Sequence, residues 1–187
     1  MNASDGHDAA LARSLAAYVA AWPEEAGAVD AFAALLSDAA DPFVRDRLEG
    51  HFTASAWLVD RAGTRLLMTH HRKLGRWLQL GGHADGDRDL ARVALREAEE
   101  ESGLSGLVVE PTPFDVDRHW IPEHRGVPGH WHYDVRYVVR CGGGEAFVVS
   151  DESHALAWRP IAALLDDAET DPSIARMARK WIARGGH

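Results

Sequence analysis

Apolar side chains recur at helical spacing in the first part of the chain, before the pattern changes to the alternation typical of strands. Residues 8–38 predict two amphipathic helices, which a proline separates because its ring and missing N–H interrupt a helix. Residues 51–60 (HFTASAWLVD) predict a strand, and residues 64–70 (TRLLMTH) predict its hairpin partner. The pattern therefore divides the chain into a helical extension, residues 1–50, and a domain over residues 51–187.

The second half of the chain adds strands on both sides of one long helix. Short strands are predicted at residues 77–80 and 106–110, and the latter continues in extended form to residue 120. Residues 155–160 predict a strand that leads into a helix at residues 161–167, and Asp171 and Pro172 start a final helix. This order is a mixed-sheet α/β (α+β) pattern.

A long strand at residues 130–141 (HWHYDVRYVVRC) divides its side chains between an apolar and a polar face. The polar face carries His130, His132, Asp134 and Arg136. This spacing is compatible with metal or phosphate contacts, and equally with an ordinary polar strand surface. Both interpretations stay open at the level of the sequence.

The stretch at residues 81–104 (GGHADGDRDLARVALREAEEESGL) organises the rest of the domain. A glycine pair opens it, and Leu90, Val93 and Ala94 then recur at the spacing of one helix face. Several aspartates stand near the helix start, where carboxylates suit the positive end of the dipole. Gly103 is placed to end the helix in a left-handed conformation.

The end of this helix carries four acidic residues that destabilise it. Glu97, Glu99, Glu100 and Glu101 stand next to the unpaired carbonyls, where negative charge is unfavourable. Like charges three or four residues apart repel by about 0.2–0.5 kcal/mol per pair. A divalent cation would turn this repulsion into ligation, because carboxylate oxygens are the ligands that Mg²⁺ and Mn²⁺ prefer.

These residues resemble the signature box of the Nudix hydrolases. Gly82 matches the opening glycine of that box, and the run Arg96-Glu97-Ala98-x-Glu100-Glu101-x-Gly103-Leu104 matches its second half without a gap. One position departs, because Arg88 stands where the box has its first glutamate. The resemblance implies a Nudix fold, in which a mixed sheet lies between helices. It does not extend to residues 1–50.

The resemblance also implies an activity, namely Mg²⁺- or Mn²⁺-dependent hydrolysis of a diphosphate bond in a nucleoside diphosphate linked to another group X. Glu97, Glu100 and Glu101 are then the metal ligands, joined by the backbone carbonyl of Gly81. Glu97 is the favoured general base, although a residue outside the box can also take that role. Arg96 is expected to orient Glu100 through an ion pair.

Substrate contacts are harder to assign, because the specificity of this family lies in loops outside the box. Candidates are His83, His132, Asp134 and Arg76. Other charged residues could pair with a substrate phosphate or act as a further acid/base carboxylate, and each could instead be an ordinary surface residue. They are Arg72, Lys73, Arg118, Arg125, Glu123, Glu145 and Glu152. Arg88 is expected to pair with Asp85, Asp89 or the neighbourhood of Glu101. The group X is not identified.

The composition of the chain limits which kinds of partner and which cellular location are expected. The formal net charge of −9 and the absence of a Lys/Arg-rich run disfavour nucleic acid as a partner. The lone Cys141 excludes an intramolecular disulfide and fits a reducing compartment, and no apolar run is long enough to span a membrane, so a cytoplasmic location is expected. Residues 1–50 are expected to pack on the domain, to contribute to a homodimer, or to cover the substrate.

Two rival interpretations remain. The first is a catalytically silent Nudix-like domain that senses a ligand or regulates. The second is a structural acidic helix in an unrelated α/β protein. The complete set of Arg96, Glu97, Glu100 and Glu101 argues against the first, since pure binding does not require clustered acids at a helix end.

Overall fold

The N-terminal part of the chain forms two helices, as the apolar spacing predicts. The computed structural model describes residues 3–71, 75–124, 126–149 and 153–185. Helix α1 covers Ala3–Ala21 and α2 covers Ala26–Leu36, with a 3₁₀ helix at Pro23–Glu25 between them. No helix within the described ranges is long and apolar enough to cross a bilayer.

Seven strands in the described part of the chain form one mixed sheet, which confirms the predicted fold class. They are β1 (Gly50–Val59), β2 (Arg65–His71), β3 (Trp77–Leu78), β4 (Leu80–His83), β5 (Leu107–Ile121), β6 (His130–Cys141) and β7 (Ser153–Pro160). The sheet order is β3-β2-β1-β6-β5, with β4 paired to β1 and β7 paired to β2. The β1–β6 pair is parallel, and it brings together two segments about 80 residues apart in the chain.

Helices cover both faces of the sheet. Helix α3 (Leu90–Ser102) packs on one face, where Val93 and Ala94 are fully buried in the same cluster as Phe32 of α2. The C-terminal helix α4 (Pro172–Ala183) covers part of the other face through residues such as Trp181. A fully buried side chain of this size contributes roughly 1.5–3 kcal/mol. The N-terminal helices therefore share a core with the sheet.

Both ends of α3 are held as the sequence predicts. The side chain of Asp89 caps the start by accepting from the backbone N–H of Arg92 at 3.1 Å. Gly103 ends the helix with φ 66°, a left-handed conformation that costs glycine least. These caps fix where the acidic last turn of α3 stands relative to β4.

The helix predicted at residues 161–167 is shorter than expected. The structure has a 3₁₀ helix at Ala162–Leu165, in which Leu164 is buried, and the buried Ile161 precedes it. Asp166 and Asp167 follow directly, where their carboxylates oppose the dipole of a longer helix.

Candidate functional site

The glycine pair lies where β4 passes closely over neighbouring groups. Antiparallel pairing places Gly81 opposite Ser55 and Gly82 opposite Ala54 of β1. A Cβ atom on Gly82 would lie 2.5 Å from Oε2 of Glu97, and a Cβ atom on Gly81 would lie 2.7 Å from the carbonyl oxygen of Ala54. The missing side chain of Gly82 therefore makes room for the Glu97 carboxylate.

The acidic end of α3 faces this strand. The Glu97 side chain is 18% exposed, whereas Glu100 lies on the surface. Glu101 accepts a hydrogen bond from the backbone N–H of Gly81, with Oε1 to N at 2.8 Å. The helix end and the glycine pair are thus joined directly, although they stand about 20 residues apart in the chain.

Arg96 takes a different partner from the expected one. Its Nη2 lies 2.9 Å from Oε1 of Glu97 and 3.2 Å from the carbonyl oxygen of His83. The predicted ion pair with Glu100 is not among its described contacts, because helix side chains lean toward the helix N-terminus and Arg96 therefore reaches back to β4. Arg96 ties Glu97 to the strand that carries the glycines.

The donor set of this helix end fits a divalent cation with a preference for oxygen. Glu97, Glu100 and Glu101 offer carboxylate oxygens on successive turns, and Gly82 leaves the space that a side chain would fill. Their oxygens do not converge on one point in the described residues: Glu97 contacts Arg96, and Glu101 contacts Gly81. Rotation of the exposed Glu100 side chain costs little, so the set fits by its chemistry and needs side-chain movement to close around an ion.

Arg88 lies away from the acidic cluster, which corrects its predicted pairing. Its Nη1 contacts both carboxylate oxygens of Asp8 in α1 at 2.7 and 2.6 Å, and its Nη2 lies 3.1 Å from Asp41. The guanidinium also stacks over the Phe43 ring, 4.7 Å from the centroid. The residue that departs from the signature box therefore anchors the N-terminal segment to the domain.

Asp134 is engaged inside the sheet. It is 2% exposed, and its carboxylate accepts hydrogen bonds from Thr53, Ser55 and Arg136 at 2.8–3.0 Å. Arg136 in turn reaches the buried Asp115, with Nη1 to Oδ2 at 3.3 Å. These contacts connect Asp134 of β6 to Thr53 and Ser55 of β1.

The structure brings His83 and His132 together with a third histidine that the sequence did not indicate. The ring centroids of His83 and His132 are 5.0 Å apart, and each lies within 5.2 Å of the His51 ring. His51 stands opposite His132 in the parallel β1–β6 register. Strand pairing between distant segments creates this proximity, so spacing within one strand could not reveal it.

The remaining candidates scatter over the surface. Arg76 is 59% exposed and lies 3.4 Å from Asp171 at the start of α4. Glu145 pairs with Arg65, and Arg118 stacks on the Trp131 ring at 4.0 Å. Glu123 is exposed. Arg72, Lys73, Arg125 and Glu152 lie outside the described residues.

Comparison with protein families gives a match over most of the chain. The model described as NUDIX domain matches residues 50–181, which include the glycine pair and the acidic helix. This match confirms the resemblance of residues 81–104. A search of curated proteins finds no match to this chain.

Solved structures with the same fold carry related descriptions. The MutT protein from Methanosarcina mazei Go1 is 15% identical with a TM-score of 0.58, covering 75% of this chain and 99% of its own. A NUDIX-family hydrolase from Clostridium perfringens is 21% identical with a TM-score of 0.57, covering 72% and 97%. The NUDIX domain of Shewanella oneidensis NrtR in complex with ADP ribose is 19% identical with a TM-score of 0.52, covering 70% and 87%. At these identities the likeness shows a shared fold.

Proposed function

Because this chain belongs to the Nudix family, we propose that it is a hydrolase that cleaves a diphosphate bond in a nucleoside diphosphate linked to another group. The observation that carries the proposal is the joining of the acidic end of α3 to the glycine pair through Glu97 and Glu101. Family membership supports hydrolase activity in general. The dependence on Mg²⁺ or Mn²⁺ and the substrate class are the parts that we add.

The proposed roles of the box residues come from the family resemblance, and their contacts are compatible with them. When bound by Glu97, Glu100, Glu101 and the carbonyl of Gly81, a divalent cation supplies charge neutralisation on the diphosphate and lowers the pKa of bound water. Glu97 is the proposed base that removes a proton from the attacking water. Arg96 fixes the position of Glu97 through the 2.9 Å contact and ties it to the His83 carbonyl.

Substrate positioning involves residues that the box does not contain. Arg76 offers an accessible guanidinium, which suits a phosphate oxygen. We assign Asp134 to positioning β1 and β6, because its carboxylate is buried and fully engaged. The histidines are considered separately below.

A pair of glutamine variants tests the proposal on neighbouring positions of one helix turn. Phosphate release from a panel of diphosphate compounds would be measured with Mg²⁺ and with Mn²⁺ for wild type, Glu100→Gln and Glu99→Gln. Both side chains are exposed, so neither change should unfold the protein. We expect Glu100→Gln to lose at least about 100-fold in turnover, whereas Glu99→Gln, outside the matched positions, should keep its activity.

Equal activity in the wild type and Glu100→Gln would contradict the mechanism. Activity that persists after chelation of divalent cations would contradict the metal dependence.

A catalytically silent, ligand-sensing domain is the alternative function. The observation in its favour is that a structure of the same fold, the NrtR domain, was solved with ADP ribose bound. It predicts binding of a nucleotide ligand without release of product and without sensitivity to Glu100→Gln. Binding and turnover measured on the same compound therefore separate the two functions.

A further inference from the structure

A cluster of five histidines lies on the sheet face opposite to α3. It contains His51 of β1, His83 of β4, His119 of β5, and His130 and His132 of β6. Each has a neighbouring ring in the group with a centroid distance of 5.0–5.5 Å. Four strands therefore contribute imidazole side chains to one cluster. The proposed hydrolytic mechanism gives these side chains no role.

The hydrogen bonds of two members fix which ring nitrogen carries the proton. Nδ1 of His51 lies 3.2 Å from the carbonyl oxygen of Arg47, and Nδ1 of His130 lies 2.8 Å from that of Pro128. A carbonyl oxygen only accepts, so each Nδ1 carries the hydrogen and each Nε2 keeps its lone pair. Metal-binding histidines are oriented in this way by their other ring nitrogen.

His51 leaves a buried acceptor without a partner. The residue is 1% exposed, and among the described residues its Nε2 has no hydrogen-bond partner. A buried polar atom in this condition is unfavourable unless another group compensates for the lost water. A hydrogen bond between His130 and His132, whose Nε2 atoms are 3.3 Å apart, satisfies two rings of the cluster but not His51.

The direction of this lone pair argues against an anion as the missing partner. Because Nδ1 of His51 donates to the Arg47 carbonyl oxygen, its Nε2 atom is an acceptor and offers an anion no hydrogen. A metal ion, by contrast, requires the lone pair of a neutral imidazole.

We infer that His51, His83 and His132 form a binding site for one divalent transition-metal ion of the zinc class. One ring nitrogen from each residue can be chosen so that all three lie within 4.8 Å of one another. Three nitrogen ligands of a tetrahedral zinc ion lie roughly 3.3–3.4 Å apart, so the ring nitrogens need to approach one another by at most about 1.4 Å. Within the described ranges this is the only group of three or more such side chains that meets this distance.

The chemistry of the ligands distinguishes this site from the acidic end of α3. Imidazole nitrogen suits Zn²⁺, Co²⁺ or Ni²⁺, whereas carboxylate oxygen suits Mg²⁺ and Mn²⁺. Gly82 faces Glu97, while the next residue of β4, His83, has its ring among the histidines. An ion bound by the three histidines would connect β1, β4 and β6. His130 stands beside it as a neighbour of His132.

Cobalt provides a direct probe, because Co²⁺ bound tetrahedrally by nitrogen ligands absorbs strongly in the visible range. The full-length protein, freed of metal by a chelator, would be titrated with Co²⁺ in the presence of excess Mg²⁺, and Zn²⁺ binding would be measured by calorimetry. We expect one equivalent of Co²⁺ to bind with a tetrahedral spectrum and one equivalent of Zn²⁺ to displace it.

Matched variants locate the ion. His83→Gln and His132→Gln, at partly exposed positions, should each weaken binding by more than about 100-fold, since loss of supporting residues alone costs about 10–100-fold. His124→Gln, an exposed histidine in the loop before β6, and Glu100→Gln should bind as the wild type does. Circular dichroism of each variant establishes that it is folded.

Two results would overturn the inference. The first is the absence of stoichiometric Co²⁺ or Zn²⁺ binding to the wild type. The second is binding that survives in both His83→Gln and His132→Gln but disappears in Glu100→Gln, because the ion would then sit at the end of α3. Neither result bears on hydrolysis with Mg²⁺, so failure here is distinguishable from failure of the proposed function.

Discussion

Gly82→Ala adds a single methyl group at the point where β4 meets the acidic end of α3. The backbone angles of Gly82 lie outside the left-handed region, so alanine can adopt them without strain. The new Cβ atom would lie 2.5 Å from Oε2 and 2.6 Å from Cδ of Glu97. The substitution therefore acts on a side chain of the proposed site rather than on the course of the strand.

The size of the effect follows from these distances. Ordinary van der Waals contact begins at 3.4 Å, so the Glu97 carboxylate must move by about 0.9 Å. That movement also pulls Oε1 away from its 2.9 Å contact with Arg96. A misplacement of about 1 Å in a catalytic group can cost about 100-fold in rate. Stability should change little, because the end of a flexible side chain can yield.

Two other glycine substitutions serve as controls for Gly82→Ala. A Cβ atom on Gly81 would meet the backbone of β1, at 2.7 Å from both the Ala54 carbonyl oxygen and the Ser55 Cα atom, so Gly81→Ala must displace a strand and should lower the melting temperature. A Cβ atom on Gly27 in α2 would have no neighbour within 4 Å, so Gly27→Ala should preserve both activity and fold.

The assay combines thermal unfolding with phosphate release in the presence of Mg²⁺ for all three variants. We expect Gly82→Ala to unfold at nearly the wild-type temperature while losing about 100-fold in turnover. Full activity in Gly82→Ala would refute the placement of Glu97 in the catalytic site. A loss of stability as large as that of Gly81→Ala would show that the new methyl group displaces the backbone of β4 rather than the Glu97 side chain.

Two further predictions concern charges outside the acidic cluster. Arg88→Glu replaces the attractions to Asp8 and Asp41 by repulsions, so the free energy of unfolding in a denaturant titration should fall by about 1–2 kcal/mol. Higher turnover of this variant would instead mean that Arg88 acts on the proposed metal site. Burial alone would raise the pKa of Asp60, but hydrogen bonds from Arg65 outweigh this effect and lower that pKa. The stability advantage of the wild type over Asp60→Asn should therefore hold above about pH 3.9 and shrink below it. An advantage that grows in acid would contradict the ion pair between Asp60 and Arg65.

The relations between candidate site residues that the sequence predicted are those that local spacing determines. Gly82, Glu97 and Glu101 lie within about one helix and its preceding loop, so the α-helical period and the position of Gly103 specify their relation. The strand boundaries were similarly accessible, because alternation within β6 is a local property. The mixed α/β fold class follows from the order of these elements, whereas the pairing of the strands does not.

The sequence could not give contacts that depend on which strands pair. His51 joins His132 only because β1 and β6 are parallel neighbours, and nothing local to either segment encodes that choice. The partners of Arg88 were missed for the same reason, since Asp8 comes from a helix 80 residues earlier. The partner of Arg96 was missed on a finer scale, because spacing along a helix does not say which rotamer the side chain adopts.

Strand β4 separates two kinds of ligand chemistry, and this has a consequence for how metal dependence is measured. Gly82 adjoins the oxygen donors of α3, while His83 adjoins the nitrogen donors of β1 and β6. Zn²⁺ competes for carboxylate sites as well as binding imidazole, because it binds both ligand types more tightly than Mg²⁺ or Mn²⁺ does. Inhibition by excess Zn²⁺ would therefore not by itself contradict a histidine site. Turnover needs to be measured with Mg²⁺ at one equivalent of Zn²⁺, because the proposed histidine site would then be filled while the acidic cluster would stay available to Mg²⁺.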